Sequence, residues 1–468
     1  MKIHLAMLVT DWLIYALLVI AIVAAFYVRR RPHLREPWRR LMQQKTAMVA
    51  MVILFFYAFI GLVDSVHFEV TRKVDKDYTS TQIESLFDII VGPLAQNDEK
   101  TYSAPFATHL YNKAIVTLPD GREIRAYPQL KYAGLNLKNV NNRANDIAIR
   151  AMLGFLVGLS SFSIIACVWL WILSRRHHKG LTQYAKLVFK GKTNAAWREA
   201  MITFGIIWLF ISIIVFLVGN YHILGTDQVG RDVFYEAIKS IRTGLLIGTL
   251  TTLFMLPFAL ILGMLAGYFR GWVDDAIQYL YTTLSSIPGV LLISAAILVL
   301  QVYIENHPQL FPTLTERADA RLLALCLILG VTSWASLCRL LRGETFKIRE
   351  QEYVQASRAL GVGRFRIILR HVMPNVMHIV LITLVLDFSM LVLAEAVLSY
   401  VGVGVDPTTM SWGNMINSSR LQLAREPIVW WPLLAAFIFM FILVLAANLF
   451  ADAVRDSLDP RLRKIEEP

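Results

Sequence analysis

Cysteine is scarce: three in 468 residues, Cys167, Cys326 and Cys338, each inside an apolar run and none spaced to pair with another. That excludes a disulfide framework or a zinc site and leaves these thiols as small buried residues. Charge is thin as well. Asp, Glu, Lys and Arg make up 17% of the chain, where soluble domains carry roughly 25%. With 56% hydrophobic residues and a mean hydropathy of +0.53, a soluble globular chain, a disordered chain and a collagen-like chain are all excluded. A phosphate-binding loop is missing too. Gly191-Lys192-Thr193 has the right ending, but position 186 is Lys where the pattern needs Gly, and no apolar strand precedes it. No ATP site, catalytic group or metal site is therefore expected in this chain, and His177-His178 reads as part of a solvated basic connector.

What is present is apolar sequence in runs of about 17–25 residues, the length that crosses a ~30 Å hydrocarbon core as a helix. Nine such runs are predicted: Trp12–Val28, Thr46–Val63, Ile147–Leu173, Met201–Val218, Gly244–Phe269, Ile277–Ile304, Leu322–Leu341, Val376–Val401 and Trp431–Val454. The expected fold is an all-α polytopic membrane protein. Pro257 and Pro288 should kink their spans. Gly154-Phe-Leu-Val-Gly158 and Gly263-Met-Leu-Ala-Gly267 suit close helix packing.

The net charge of +12 lies mostly beside these spans, not in a folded basic module, so nucleic acid is not an expected partner. Arg29–Arg31, Arg35, Arg39, Arg40 and Lys45 separate spans one and two. Arg175, Arg176, Lys179, Lys186, Lys190 and Lys192 follow span three. Basic connectors mark the cytoplasmic side, which places Met1 and residues 64–146 outside and the C-terminus inside. The basic residues between spans seven and eight then also fall inside. Span one carries its charge after the apolar run and has no cleavage site following it, so it reads as a retained helix.

Residues 64–146 read as a small folded insert with nearly balanced charge. Thr81-Gln-Ile-Glu84 fits a capping box at a helix start. Ala114–Leu118 and Glu123–Tyr127 flank Pro119-Asp120-Gly121 as a hairpin. So short a segment holds a marginal core at best and should lean on the membrane part or a partner.

The most informative stretch runs from Arg349 to Gly361. Tyr353, Ala356, Ser357 and Leu360 recur at i, i+3, i+4 and i+7 on one helical face. Glu350 and Glu352 stand at the start, where the helix dipole favours negative charge, and Gly361 stands where a left-handed cap belongs. The prediction is a short amphipathic helix near 350–361 with a ridge of small side chains. Pattern alone also allows a helix resting on lipid headgroups.

Gln355-Ala-Ser-Arg-Ala-Leu-Gly361, followed by Ile368-Leu-Arg-His-Val-Met-Pro374-Asn, resembles the EAA loop of ABC-importer permeases, with Gln355 and Ser357 departing from the strict pattern. Four further segments narrow the likeness: Gly225-Thr-Asp-Gln-Val-Gly-Arg-Asp-Val233, Gly267–Asp275, Leu398–Gly404 leading into Ser411-Trp-Gly-Asn-Met415, and Asp456–Arg463. Together they resemble the C-type permease subunit of the dipeptide/oligopeptide ABC transporter family over roughly Met201 to Arg463.

The resemblance implies a six-helix type I importer permease core over residues 200–463. Around it lie two extra helices (1–63), an extracytoplasmic α+β insert (64–146), and a third extra helix with its basic connector (147–199). It implies a bacterial inner-membrane location, a heterodimer with a second permease, two separate ATPase subunits that use the ATP and Mg, a substrate-binding protein and a peptide cargo. Glu352, Tyr353, Ala356, Ser357, Leu360, Gly361 and Arg364 would couple to the ATPase. Loops 219–243 and 402–430, with Asp227, Arg231, Asp232, Trp412 and Asn414, would receive the binding protein.

An acid inside a span is a functional candidate by default. Asp387 and Glu395 sit eight residues apart, about 80° around a helix, and are pathway candidates together with Pro288. The other reading for the two acids is hydrogen bonding to a neighbouring helix or subunit, and the resemblance favours it for Glu395. Nickel chelates or other small solutes remain alternative cargoes. A proton-coupled carrier relaying through Asp387 and Glu395, and a sensory or scaffold protein using the insert, remain alternative classes.

Overall fold

The computed structural model describes residues 2–73, 79–117, 123–134 and 142–458. A short strand, β1 (Lys2–Leu5), precedes the helices α1 (Val9–Arg30), α2 (Pro32–Leu41) and α3 (Lys45–Asp64). Strands β2 (His67–Lys73) and β3 (Thr79–Ser85) follow, then α4 (Leu86–Ile90), α5 (Gly92–Gln96), β4 (Ala114–Thr117) and β5 (Glu123–Ala126). The chain continues through α6 (Arg143–Arg176), α7 (Leu181–Phe189), α8 (Trp197–Val218), α9 (Val233–Phe269), α10 (Trp272–Ser286) and α11 (Gly289–Asn306). Next come α12 (Leu314–Ser333), α13 (Ala335–Arg349), α14 (Glu352–Ala359), α15 (Arg364–Ile367) and a π turn at Ile368–Val372. The last helices are α16 (Met373–Tyr400), α17 (Trp412–Leu423) and α18 (Trp431–Leu458).

Among the described residues, nine helical stretches are long and apolar enough to cross a membrane: α1, α3, α6, α8, α9, α11, Leu314–Arg349, Arg364–Tyr400 and α18. Eight of the predicted runs fall on these stretches, which extend up to twelve residues beyond them; Val401 lies one residue past the end of α16, and the seventh run crosses from α12 into α13 at Trp334. The sixth is corrected. Ile277–Ile304 is two helices, because Pro288 cannot donate and holds the residue before it extended (Ile287, φ −87°, ψ 130°). Pro257 lies within α9 without dividing it.

The chain forms two compact units. The first holds β1, residues 28–242 and residues 410–449. Its helical part is built on α6 and α8, which meet at the first glycine motif. A Cβ at Gly154 would lie 2.8 Å from the Ile213 backbone, and one at Gly158 2.8 Å from Ser212. Only glycine permits that approach. Its polar part carries an antiparallel sheet in the order β1-β2-β3, with Lys2 opposite Thr71 and His67 opposite Ser85. Thr81 and Glu84 are in β3, so the predicted capping box is corrected: the box is formed by Ser85 and Asp88 at the start of α4. β4 and β5 pair as the expected hairpin, and its turn, Pro119-Asp120-Gly121, lies outside the described residues.

The second unit holds residues 6–27, 243–409 and the chain from Phe450. Here α9 meets α13 at the second glycine motif. A Cβ at Gly263 would lie 2.9 Å from the Cys338 carbonyl oxygen, and one at Gly267 2.5 Å from Thr345. One apolar core joins α9, α10, α13 and the start of α16; a second joins α9, α11, α12 and α16. Helix α1 packs on the second core through Leu13, Ile14 and Leu17. It is held there by Thr10, whose amide (3.3 Å) and hydroxyl both donate to Asp319.

Candidate functional site

Helix α14 is made by its ends. Gln351 is extended (φ −70°, ψ 143°) and breaks the chain from α13; Gly361 takes φ +77° and stops α14. The Gly361 amide donates to Arg358 O (3.0 Å) and the Val362 amide to Ser357 O (3.1 Å), the paired bonds of a Schellman cap. The helix is shorter than the predicted 350–361, and Glu350 closes α13 instead of opening α14.

One residue of α14, Val354, is buried (2% exposed) and fixes the helix to the core. The opposite ridge is open: Tyr353 is 44% and Leu360 83% exposed, Glu352 and Ala356 are exposed and Ser357 is half-buried. Two polar ties set its position. Asn375 Nδ2 donates to the Tyr353 hydroxyl at 3.0 Å, and Arg270 Nη2 lies 2.7 Å from Glu350 Oε1. Arg270 itself sits at φ +57° in the reversal between α9 and α10, a strained position for a residue with a side chain. Arg349 Nη1 donates to the Tyr268 carbonyl (2.9 Å), and Arg342 grips Asp274 through two bonds of 2.5 and 2.7 Å. Arg364 stacks over Phe269 at 5.8 Å. Between α14 and the end of α9 is a groove of about 450 Å³ lined by Tyr268, Arg349, Glu350, Val354, Gln355, Arg358 and Ala359. A rigid, surface-mounted helix tied at three points can transmit a push to α9, α10 and α16.

The other predicted residues are dispersed. Glu395 in α16 is 2% exposed and accepts from Ser399 Oγ at 2.7 Å, one turn further along the same helix. Asp387 is half-buried, and Pro288 is exposed at the start of α11. Asp227 is half-buried and accepts from the amides of Val229 (2.9 Å) and Arg231 (2.7 Å), shaping the loop before α9. Arg231 and Asn414 are half-buried, and the Asn414 amide donates to Ser411 Oγ at the start of α17.

Asp232 and Trp412 are corrected as docking residues, since each is 1% exposed. Asp232 caps α9 by accepting from the amides of Phe234 (2.8 Å) and Tyr235 (3.1 Å). The Trp412 indole donates to Ala237 O at 2.9 Å. Both motif residues are there to build the loop.

Sequence reasoning missed what holds the insert down. Glu99, Ser103, Phe106 and Gly134 of the insert are hydrogen-bonded along the loop between α8 and α9. The Glu99 amide donates to Gly230 O (2.9 Å), the Ser103 amide to Thr226 Oγ1 (2.7 Å), the Phe106 amide to His222 O (2.9 Å) and the Gly134 amide to Asn220 O (2.9 Å). At the centre, buried His222 has Nδ1 2.7 Å from Asp232 and Nε2 3.7 Å from Glu99. Burial opposes charge on His222, but the Asp232 and Glu99 carboxylates outweigh it and push its pKa up to about 9. Burial likewise opposes ionisation of Glu99. The His222 contact and the amides of Lys131 and Tyr132 (2.8 Å each) nonetheless hold its pKa below the usual range. Lys239 and Tyr235 of α9 both bond Asp88 of α4, at 2.5 and 2.6 Å. No spacing rule links Glu99 to His222, so the sequence carried no signal for this seam. The expectation that the insert leans on the rest of the chain is met here.

Residues 259–464 match the family model described as binding-protein-dependent transport system inner membrane component. The chain is 32% identical over 247 residues to the oligopeptide transport system permease protein OppC of Mycobacterium tuberculosis, covering 53% of this chain and 78% of the relative. It is 29% identical over 243 residues to the glutathione transport system permease protein GsiD of Pectobacterium atrosepticum, covering 52% and 73%. It is 30% identical over 243 residues to the dipeptide transport system permease protein DppC of Bacillus subtilis, covering 52% and 70%. The segment carrying α14, its ties and its cap lies within the matched region, and the chain belongs to the family of binding-protein-dependent transport system inner membrane components.

Proposed function

We propose that this chain is one permease half of an ATP-driven peptide importer of the bacterial inner membrane, non-catalytic in itself and driven by separate ATPase subunits through α14. The observation that carries the reading is the exposed ridge of Tyr353, Ala356 and Leu360 on a helix anchored by Val354 and by the Arg270–Glu350 pair. Closure of two ATPase subunits on ATP displaces this helix, and its ties pass the displacement to α9, α10 and α16. Glu352, Ser357, Gly361 and Arg364 belong to the same contact. ATP and Mg are held by the partner subunits. A second permease completes the pathway, with half-buried Asp387, and Pro288 at the start of α11, its candidates in this chain.

Peptide is the cargo best supported, because the relatives are named for oligopeptide, dipeptide and glutathione transport. The substrate-binding protein docks on the outer side, where it meets residues 64–146 seated over the loop with Asp227 and Arg231. The pairing of β1 with β2 supports an outer N-terminus, since it keeps the start of the chain on the same side as the insert. An odd number of spans then leaves the C-terminus in the cytoplasm. A proton relay is less well supported: Glu395 is engaged by Ser399 within its own helix.

The test is cysteine cross-linking from Leu360→Cys to the co-expressed ATPase subunits, with uptake of a labelled dipeptide measured in parallel. A cross-link whose yield changes with ATP supports the reading. Uptake by the chain reconstituted without any ATPase would overturn it.

A further inference from the structure

The excess positive charge of this chain has one address. Residues 29–45 and 174–199 together hold fourteen Lys and Arg against two acids, Glu36 and Glu199; the remainder of the chain holds 32 of each sign. The whole +12 is therefore accounted for by two short connectors. Each contains a short helix, α2 and α7.

The fold brings these connectors to a single place. The Ala196 amide donates to Met42 O at 2.9 Å, and Met48, Ala195 and Ala200 form one buried cluster with Trp169 and Trp197 around it. The start of α3, the end of α6 and the start of α8 therefore lie together, and α2 and α7 are mounted on that common end. Helix α7 turns Tyr184 and Val188 inward onto Leu173 and Met201. Its outer side presents Leu181 (43% exposed) and Phe189 (70%) beside exposed Lys186, Lys190 and Lys192. Helix α2 buries Leu41 and presents Trp38 (37%) beside exposed Arg35 and Arg39. Arg175, in the last turn of α6, stacks over exposed Trp171 at 4.2 Å.

We propose that α2 and α7 form a collar that binds anionic phospholipid headgroups at the membrane surface. Three observations select lipid over a protein partner. The collar sits at the ends of three apolar spans, so their length carries it to headgroup depth. Its exposed face mixes large apolar and aromatic side chains with cations, the composition that inserts at the acyl boundary while pairing with phosphate. The exposed apolar side chains of α6 (Ile164, Val168, Trp171, Ile172) continue to within two residues of the basic connector that carries α7. This surface lies outside α14 and does not depend on the transport reading.

The experiment uses the full chain reconstituted in vesicles and electron spin resonance of spin-labelled phosphatidylglycerol against spin-labelled phosphatidylcholine. The wild-type chain should hold phosphatidylglycerol in preference, and the preference should collapse as salt is raised to about 1 M, where the screening length is only about 3 Å. The variant R35Q/R39Q/K186Q/K190Q/K192Q should lose at least about fivefold of it, the worth of a single cation near the surface. The salt titration needs no variant, so a misfolded mutant leaves the proposal testable. Equal retention of the two lipids by the wild type overturns it. So does competition by millimolar inorganic phosphate, which would mark a site for free anion. A variant with unchanged lipid preference but reduced recovery of co-expressed ATPase subunits also overturns it, in favour of protein docking.

Discussion

Arg270, in a left-handed backbone position between α9 and α10, reaches across eighty residues of sequence to hold Glu350 at 2.7 Å, at the foot of α14. Both side chains are about half exposed, so the pair contributes no more than about 1 kcal/mol to stability. Its value is positional. Arg270→Ala should leave the thermal midpoint within about 2 °C while lowering ATP-driven dipeptide uptake severalfold. The exchange Arg270→Glu with Glu350→Arg should recover part of the loss. A large fall in thermal midpoint for the single variant would show the pair to be a stabilising contact instead.

Gly361 has open space around its missing side chain and a φ of +77°. The requirement is conformational, and Gly361→Val should cost about 1–2 kcal/mol locally by undoing the Schellman cap. Uptake and recovery of ATPase subunits should fall while membrane insertion stays intact. Normal uptake in that variant would count against α14 as the coupling element.

The His222 seam makes a prediction about pH. The folded pKa is raised from 6.5 to about 9, so its contribution is fully present below pH 6.5 and is lost as pH rises through about 9. Glu99 is shifted the other way, so its contribution is present above its ordinary pKa of 4.5 and is lost as pH falls below that. The insert should be held firmest between about pH 5 and 6.5. Limited proteolysis of residues 64–146 should accelerate as pH approaches 9, and His222→Gln should flatten that profile. Equal cleavage rates at pH 6 and pH 9 in the wild type would contradict this account.

Glu395→Gln keeps an oxygen to accept from Ser399, so a structural Glu395 predicts near-normal uptake, with a change under about twofold. A proton relay predicts its abolition. The same substitution logic, Asp387→Asn, separates a pathway acid from a spectator by the uptake of cationic against neutral dipeptides.

Much of this molecule was legible because membrane crossing leaves a coarse signal. Eight of the nine runs became helices where composition placed them. The sixth was mistaken because apolar character persists across Pro288, while a single helix does not. The cap at Gly361 was readable because left-handed geometry selects glycine almost alone. Asp232 and Trp412 were misjudged for a different reason. A motif in a loop between spans looks like surface in one dimension, yet these side chains cap α9 and brace it from within. Nothing local pairs Glu99 with His222, or Asp88 with Tyr235 and Lys239, since these partners lie more than a hundred residues apart in the chain.

The sheet order β1-β2-β3 has a consequence for biogenesis. Residues 2–5 are synthesised well before their hydrogen-bonding partners, residues 68–71, which appear only after two complete hydrophobic segments have been translated. The leading strand must wait, unpaired, until the insertion machinery has delivered both segments in the correct sense. A mistake in threading either one would put the two strands in different compartments, and the ladder would never form.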